Sequence, residues 1–258
     1  MPNFAANLSF MFNEWDFLDR FGAAADAGFT AVEYLFPYDH APEVIATHLQ
    51  RHKLRQALFN FPPGDWQAGD RGLAALPDRR KEFTVGIDQA LLYAETLSVT
   101  RLHVMAGLAD ATDPKALAAY RDALKLACER AARKNITILI EPINGRDMPG
   151  YFLNHFGRAA DIITNLGLPN LQLQFDIYHR QIIHGDVLTS LKSLLPMIGH
   201  VQIASVPARN EPGSGELDDF RILRTLDALG YQGYVGLEYR PAQGTLAGLD
   251  WFDTFKAG

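Results

Sequence analysis

Four short apolar runs in the second half of the chain each carry one oxygen-bearing side chain at the same phase. Successive side chains on a strand face opposite ways. In LQLQFD, Leu171, Leu173 and Phe175 therefore share one face, and Gln172, Gln174 and Asp176 the other. ITILIE sets Ile136, Ile138 and Ile140 against Glu141 at its end. HVQI sets Val201 and Ile203 against Gln202, and YVGLE sets Val235 and Leu237 against Glu238. The apolar faces must meet packing elements, so Glu141, Asp176, Gln202 and Glu238 point together toward an interior. Buried carboxylates this close repel and resist ionisation unless something neutralises them. A divalent cation is the natural neutraliser, and three carboxylates with an amide carbonyl suit Mg²⁺ or Mn²⁺ better than Zn²⁺. Taken singly, each residue could equally cap a helix or pair with a surface arginine. Four in register on successive strands favour convergence on a metal.

The elements that would position them alternate along the whole chain. β-rich runs begin near residues 4, 31, 55, 101, 136, 171, 200 and 234. Between them lie helix-like stretches: 16–27, 42–52, 83–97, 115–133, 156–166, 187–195, 220–229 and 246–255. Several close on Gly before the next strand, as in AAADAGFT, ITNLGLPN and LDALGYQG, the usual helix stop. This α/β rhythm predicts a single (β/α)₈ TIM barrel over residues 1–258, with the functional face at the C-terminal ends of the strands. The segment Phe61–Asp78, FPPGDWQAGDRGLAALPD, is too long for a mere connector and is expected to form a lid, or else an insertion.

Composition narrows the function classes. The 258 residues are 48% hydrophobic and 21% charged, ordinary for a globular protein with a full core. A net charge of -6 gives no general pull toward nucleic acid or anionic membrane. No run approaches the ~20 apolar residues of a membrane span, and the N-terminus lacks signal-peptide anatomy. The single cysteine, Cys128, sits at helical spacing and is expected to pack in a core; the protein is expected to be cytoplasmic. No P-loop or strand-linked GxGxxG is present, so no nicotinamide or flavin is expected.

Longer motifs now carry a resemblance. FAANLSFMF, AGFTAVEYLFPYD, FNFPPGDWQAGDRG, LIEPIN, FDIYH, GHVQIA, NEPGSGELD and GLEYRP occur in order over essentially the whole chain. In them the chain resembles hydroxypyruvate isomerase, within the xylose-isomerase-like sugar isomerase and epimerase barrels. The resemblance implies that Glu141, Asp176, Gln202 and Glu238 hold the metal, with Glu141 and Glu238 as the proton-transfer pair. Many sugar epimerases of the wider group carry His where Gln202 stands, which fits the hydroxypyruvate isomerase branch. The implied reaction interconverts hydroxypyruvate and 2-hydroxy-3-oxopropanoate (tartronate semialdehyde) through an enediolate stabilised by the metal. A longer 2-oxo acid such as 2-dehydrotetronate, or a ketose 3-epimerisation, is the alternative. Related barrels are often oligomeric, so a homo-oligomer is expected by analogy.

Other residues are candidates for holding the substrate, a small 2-oxo acid or ketose. His179, in DIYH, is placed on a loop above the metal, either binding substrate or starting a helix. His103 faces inward, as substrate contact or core residue, and His200 lies deeper. Asp147 follows Glu141 by six residues, where related epimerases use a carboxylate on a substrate hydroxyl. Arg209, Arg240 and Arg71 are all candidates for a substrate carboxylate, since Arg offers a two-point fork. Glu33 is expected to support the metal-binding residues, and Trp66 either to exclude water when the loop closes or to pack the lid down. Two rival classes fare poorly. A multi-zinc endonuclease barrel wants many histidines and a basic face, against 8 His and the acidic balance here. A Schiff-base aldolase wants a strand lysine, and every lysine lies in a helix or connector.

Overall fold

The β-branched and aromatic runs form nine short parallel strands in the computed structural model, which describes residues 2–257. They are β1 (Asn3–Asn7), β2 (Ala31–Glu33), β3 (Arg55–Gln56), β4 (Phe59–Asn60), β5 (Arg101–His103), β6 (Thr137–Ile140), β7 (Leu171–Asp176), β8 (Ile198–Ile203) and β9 (Tyr234–Leu237). Their hydrogen-bonded order runs β3-β2-β1-β9-β8-β7-β6-β5-β4. The two ends of that order are halves of one extended stretch, interrupted only at Ala57 and Leu58. Ala57 N donates to Val32 O at 2.8 Å on one side, and Phe61 N donates to His103 O at 2.9 Å on the other. Counted as one, β3 and β4 close the ring, and the chain is an eight-stave TIM barrel.

Around it stand α1 (Arg20–Asp26), α2 (Pro42–Arg51), α3 (Arg80–Leu97), α4 (Pro114–Ala132), α5 (Phe156–Leu166), α6 (Ile177–His184), α7 (Val187–Leu194), α8 (Asp219–Ala228) and α9 (Asp250–Ala257). Local chemistry sets their ends. Asp113 caps α4 by accepting from Lys115 N at 2.9 Å, with Pro114 at the first helical position, where a missing N–H costs nothing. Gly167 ends α5 in the left-handed conformation, φ 59°. Cys128 is buried in α4, as its spacing suggested. At the far end of the chain Trp251 and Phe252 of α9 pack edge-on against Phe4 of β1, and Phe252 stacks on Phe29 at 4.8 Å. Among the described residues no helix is long and apolar enough to cross a membrane.

Strand parity follows the sequence. Leu171, Leu173 and Phe175 join the packed shell under the helices, while Gln174 and Asp176 are buried on the barrel side. One element was hidden. The residues after Asp176 form α6 with no intervening loop, so His179 sits in a first helical turn and not on a loop. Its β-branched, aromatic sequence, IYHRQIIH, reads as strand continuation. What starts the helix is Asp176 itself, whose side chain accepts from Tyr178 N at 2.8 Å. The long segment also holds more order than expected. It carries a single turn at Pro77–Arg79, and α3 begins at Arg80, three residues before the expected Phe83.

Candidate active site

The C-terminal strand ends open into a cavity of about 240 Å³, bordered by His103, Glu141, Asp147, His179, Arg209 and Glu238. With Arg71 and Arg240 also on its border, eight of the ten candidate residues read from the sequence line one space. Asp176, fully buried, and Gln202, 1% exposed, lie beneath it. Asp176 and Gln202 are register partners on β7 and β8, which sets them side by side. Glu141 and Glu238 each follow the last residue of β6 and β9.

The electrostatics are unbalanced. Burial, then Glu238 and Asp176, push the Glu141 carboxyl well above the usual range. Burial pushes Glu238 up to about 8 and Asp176 up to about 6, against the lowering pull of Arg209 on both. Arg209 is the cation among them. Its Nη2 lies 2.9 Å from Glu238 Oε2 and 3.6 Å from Asp176 Oδ2, and its Nη1 3.4 Å from Asp147 Oδ2. Burial opposes its charge, but these carboxylates hold its pKa above the ordinary value. The guanidinium is further clasped between the rings of Phe10, at 4.9 Å, and Tyr178, at 4.8 Å. Its backbone is left-handed, φ 59°, fixed by Arg209 N donating to Ser205 O and by Arg240 N donating to Arg209 O.

Ionised together, the three buried carboxylates against one guanidinium would carry two negative charges, which one divalent cation would neutralise. Among the described residues, Glu141 Oε1 and Asp176 Oδ2 are buried and accept no hydrogen bond, as free ligand oxygens would be. Those two residues and His179 bring one ligand atom each within 4.8 Å of one another. The residues present therefore fit a hard divalent cation.

The hydrogen bonds of His179 favour a different part for it. Asn144 Oδ1 accepts from the backbone N–H groups of Arg146 and Asp147, so its Nδ2 is free to donate. That amide, at 2.7 Å, and Asn144 N, at 3.3 Å, both donate to His179 Nδ1. Burial holds the ring neutral, its pKa far below the usual value. A neutral imidazole accepting at Nδ1 carries its proton on Nε2. That N–H faces Asp176 at 3.6 Å and Glu141 at 4.0 Å, so His179 presents a donor and not a lone pair. His103 is the converse. Its Nδ1 donates to Asn60 Oδ1 at 3.2 Å and lies 3.7 Å from Glu141 Oε2, and its buried Nε2 lone pair has no partner among the described residues. Burial lowers its pKa to about 3.

Gln202 is held from below. Its Nε2 donates to Glu33 Oε1 at 2.8 Å, and its Oε1 accepts from Gln174 Nε2 at 2.6 Å. Glu33 also takes His200 Nε2 at 2.6 Å and Asn7 Nδ2 at 3.0 Å. Glu33 and His200 thus support the site without facing the cavity, whereas the carbonyl of Gln202 is already shared with Gln174. Asn144 was missed in the sequence. Its place in LIEPIN, three residues past Glu141, was the available signal, but an asparagine there has no periodicity to mark it.

The comparisons agree with this architecture. The model of the xylose isomerase-like TIM barrel family matches residues 21–255, and the chain belongs to that family. A 2-oxo-tetronate isomerase of Cupriavidus necator is 52% identical over 257 residues, covering 99% of each chain. The hydroxypyruvate isomerase of Escherichia coli strain K12 is 39% identical over 99% of this chain and 100% of its own. A solved structure from Brucella melitensis, described as an AP endonuclease of family 2, superposes with a TM-score of 0.96 at 47% identity, over 98% of this chain and 99% of that one. The protein is an isomerase of this family.

Proposed function

We propose that the enzyme interconverts a short 3-hydroxy-2-oxo acid and its 2-hydroxy-3-oxo isomer, hydroxypyruvate and 2-hydroxy-3-oxopropanoate in the three-carbon case, with a divalent cation. The observation that carries this is the arrival of Glu141 and Glu238, from strands on either side of Asp176, at one small cavity. Glu141, Asp176, Gln202 and Glu238 would hold the cation. When bound there, Mg²⁺ or Mn²⁺ supplies Lewis-acid stabilisation of the charge that develops on the substrate oxygens.

The chain's own residues do the rest. One glutamate takes the proton from carbon 3, whose electrons form the carbon 2–carbon 3 double bond and leave charge on the carbonyl oxygen. His179 Nε2–H donates to that oxygen. His103, with its Nδ1 3.7 Å from Glu141 Oε2, keeps that carboxylate facing the cavity. A glutamate returns a proton to carbon 2, and loss of the hydroxyl proton completes the new carbonyl. Net, one hydrogen moves from carbon 3 to carbon 2 and one from oxygen to oxygen, so no external redox partner is needed. Arg209 keeps Glu238 and Asp147 oriented.

The greater identity to the 2-oxo-tetronate isomerase, 52% against 39%, favours the four-carbon acid as a second reading of the same site. Incubation with hydroxypyruvate or 2-oxo-tetronate in D₂O, with Mg²⁺ or Mn²⁺, followed by proton NMR, tests the proposal. Metal-dependent appearance of the isomer supports it, and the ratio of the two rates names the preferred acid. No turnover of either acid with either metal overturns it.

A further inference from the structure

Three arginines border the cavity, and they differ in what already holds their charge. Arg209 is enclosed by Glu238, Asp176 and Asp147. Arg240 is exposed, its guanidinium 5.9 Å from the ring of Phe10. Arg71 is half-buried, and among the described residues no carboxylate lies within ion-pair distance of it. Its guanidinium lies over the ring of Trp66 at 4.0 Å, and that ring packs on Phe36 at 5.1 Å. Nη1 donates to Trp66 O at 3.0 Å and to Asp70 O at 2.7 Å. Among the described residues the other edge of the fork, Nε and Nη2, has no hydrogen-bond partner.

The segment that carries Arg71 is tied down on both sides. Asp70 accepts from Asp65 N at 2.7 Å and receives Arg79 through both its oxygens, at 3.3 and 2.9 Å. Gly72, at φ 103°, donates to Pro63 O at 2.9 Å and bridges to Ala106 beyond β5. A side chain at Gly72 would run into the Met105 carbonyl, so only glycine lets the segment approach this closely. The arginine is thus presented by a frame, with its entropy already lost before anything binds.

A guanidinium in ion-pair contact with no carboxylate among the described residues, with one edge of its fork open, on the wall of a cavity whose floor holds three carboxylates, is a place for an anion. We propose that Arg71, on its Trp66 platform, pairs side-on with the substrate carboxylate and makes the enzyme select 2-oxo acids over uncharged ketoses. The acidic floor repels a carboxylate, so Arg71 also sets the direction of binding: the charged end lies at the wall, and the carbonyl and hydroxyl carbons turn toward Glu141 and His179. This rests on the proposed isomerisation.

The test compares hydroxypyruvate with dihydroxyacetone, which has the same ketol unit and a hydroxymethyl group in place of the carboxylate. Arg71→Gln should lower kcat/KM for hydroxypyruvate about 10- to 100-fold, chiefly through KM, the range for one charge-assisted pair. It should leave dihydroxyacetone unchanged. Arg71→Lys should keep part of the affinity for hydroxypyruvate. Equal loss on both substrates, or no loss on the acid, overturns the proposal. If the wild-type enzyme turns over no 2-oxo acid, the isomerase reading fails by itself. Calorimetric binding of tartronate to the Mg²⁺-loaded protein then decides the role of Arg71. Binding weakened 10-fold or more by Arg71→Gln supports it, whereas equal binding, or none by the wild type, overturns it.

Discussion

The division of labour between His179 and the carboxylates turns on one asparagine. With Asn144 donating twice to Nδ1, the imidazole can only offer an N–H to the cavity. Asn144→Asp replaces the donor with an acceptor and favours the opposite tautomer. We expect kcat to fall about 10- to 100-fold, the range for residues that orient a catalytic or metal-binding group, with little change in KM. A change confined to KM would show that His179 only binds. Glu141→Gln and Glu238→Gln should each lower turnover by at least about 100-fold, because an amide cannot relay a proton. Their circular dichroism should stay native, and near-normal turnover in either variant would remove that glutamate from the mechanism. The two glutamates, Asp176 and Gln202 were all legible from strand parity. Asn144 was not, because its value lies in a contact with a residue 35 positions away.

At the scale of elements, the barrel interior accommodates Glu33 through an absence. A Cβ on Gly236 of β9 would collide with both oxygens of Glu33, and it is Glu33 that orients Gln202 and holds His200. Gly236→Ala should therefore destabilise the fold by about 1–3 kcal/mol, the usual cost of overpacking a filled interior. It should weaken metal binding as well. A thermal melt with and without Mn²⁺ reads both effects, and an unchanged melting temperature would mean that Glu33 has room to move. Elements with strong periodicity were readable in advance: 156–166 was expected and found as a helix, and 42–52 differs from α2 by one residue. The helix after Asp176 was not, because its initiating signal is a side chain that also serves the site. The first helix was drawn too long for a related reason. Residues 16–19 carry helix-compatible types but form turns, with α1 starting at Arg20.

For the whole molecule, a divalent cation held by the buried carboxylates, as proposed, would couple its binding to folding. A group that binds only the folded state stabilises it by RT ln(1 + [L]/Kd), about 2.7 kcal/mol at a hundredfold excess over Kd. We expect Mg²⁺ or Mn²⁺ to raise the melting temperature of EDTA-treated protein, and Asp176→Asn to abolish that rise. We also expect chelation to remove activity and either metal to restore it. Full activity after exhaustive chelation would rule out the metal in the reaction.

What the sequence by itself determined is the alternation of strand and helix, the face on which each strand side chain lies, and the family. These follow from local rules, the two-residue strand repeat and the helix stop signals, together with long motifs in order. What only the tertiary structure decided is which groups share partners. Closure of the ring through residues 55–60 is a pairing between distant strands. The capture of Glu238 by Arg209, the tautomer of His179 and the open edge of the Arg71 guanidinium on the cavity wall likewise depend on neighbours far apart in the chain. Electrostatic energy depends on distance and burial in three dimensions, and no spacing along one dimension encodes them.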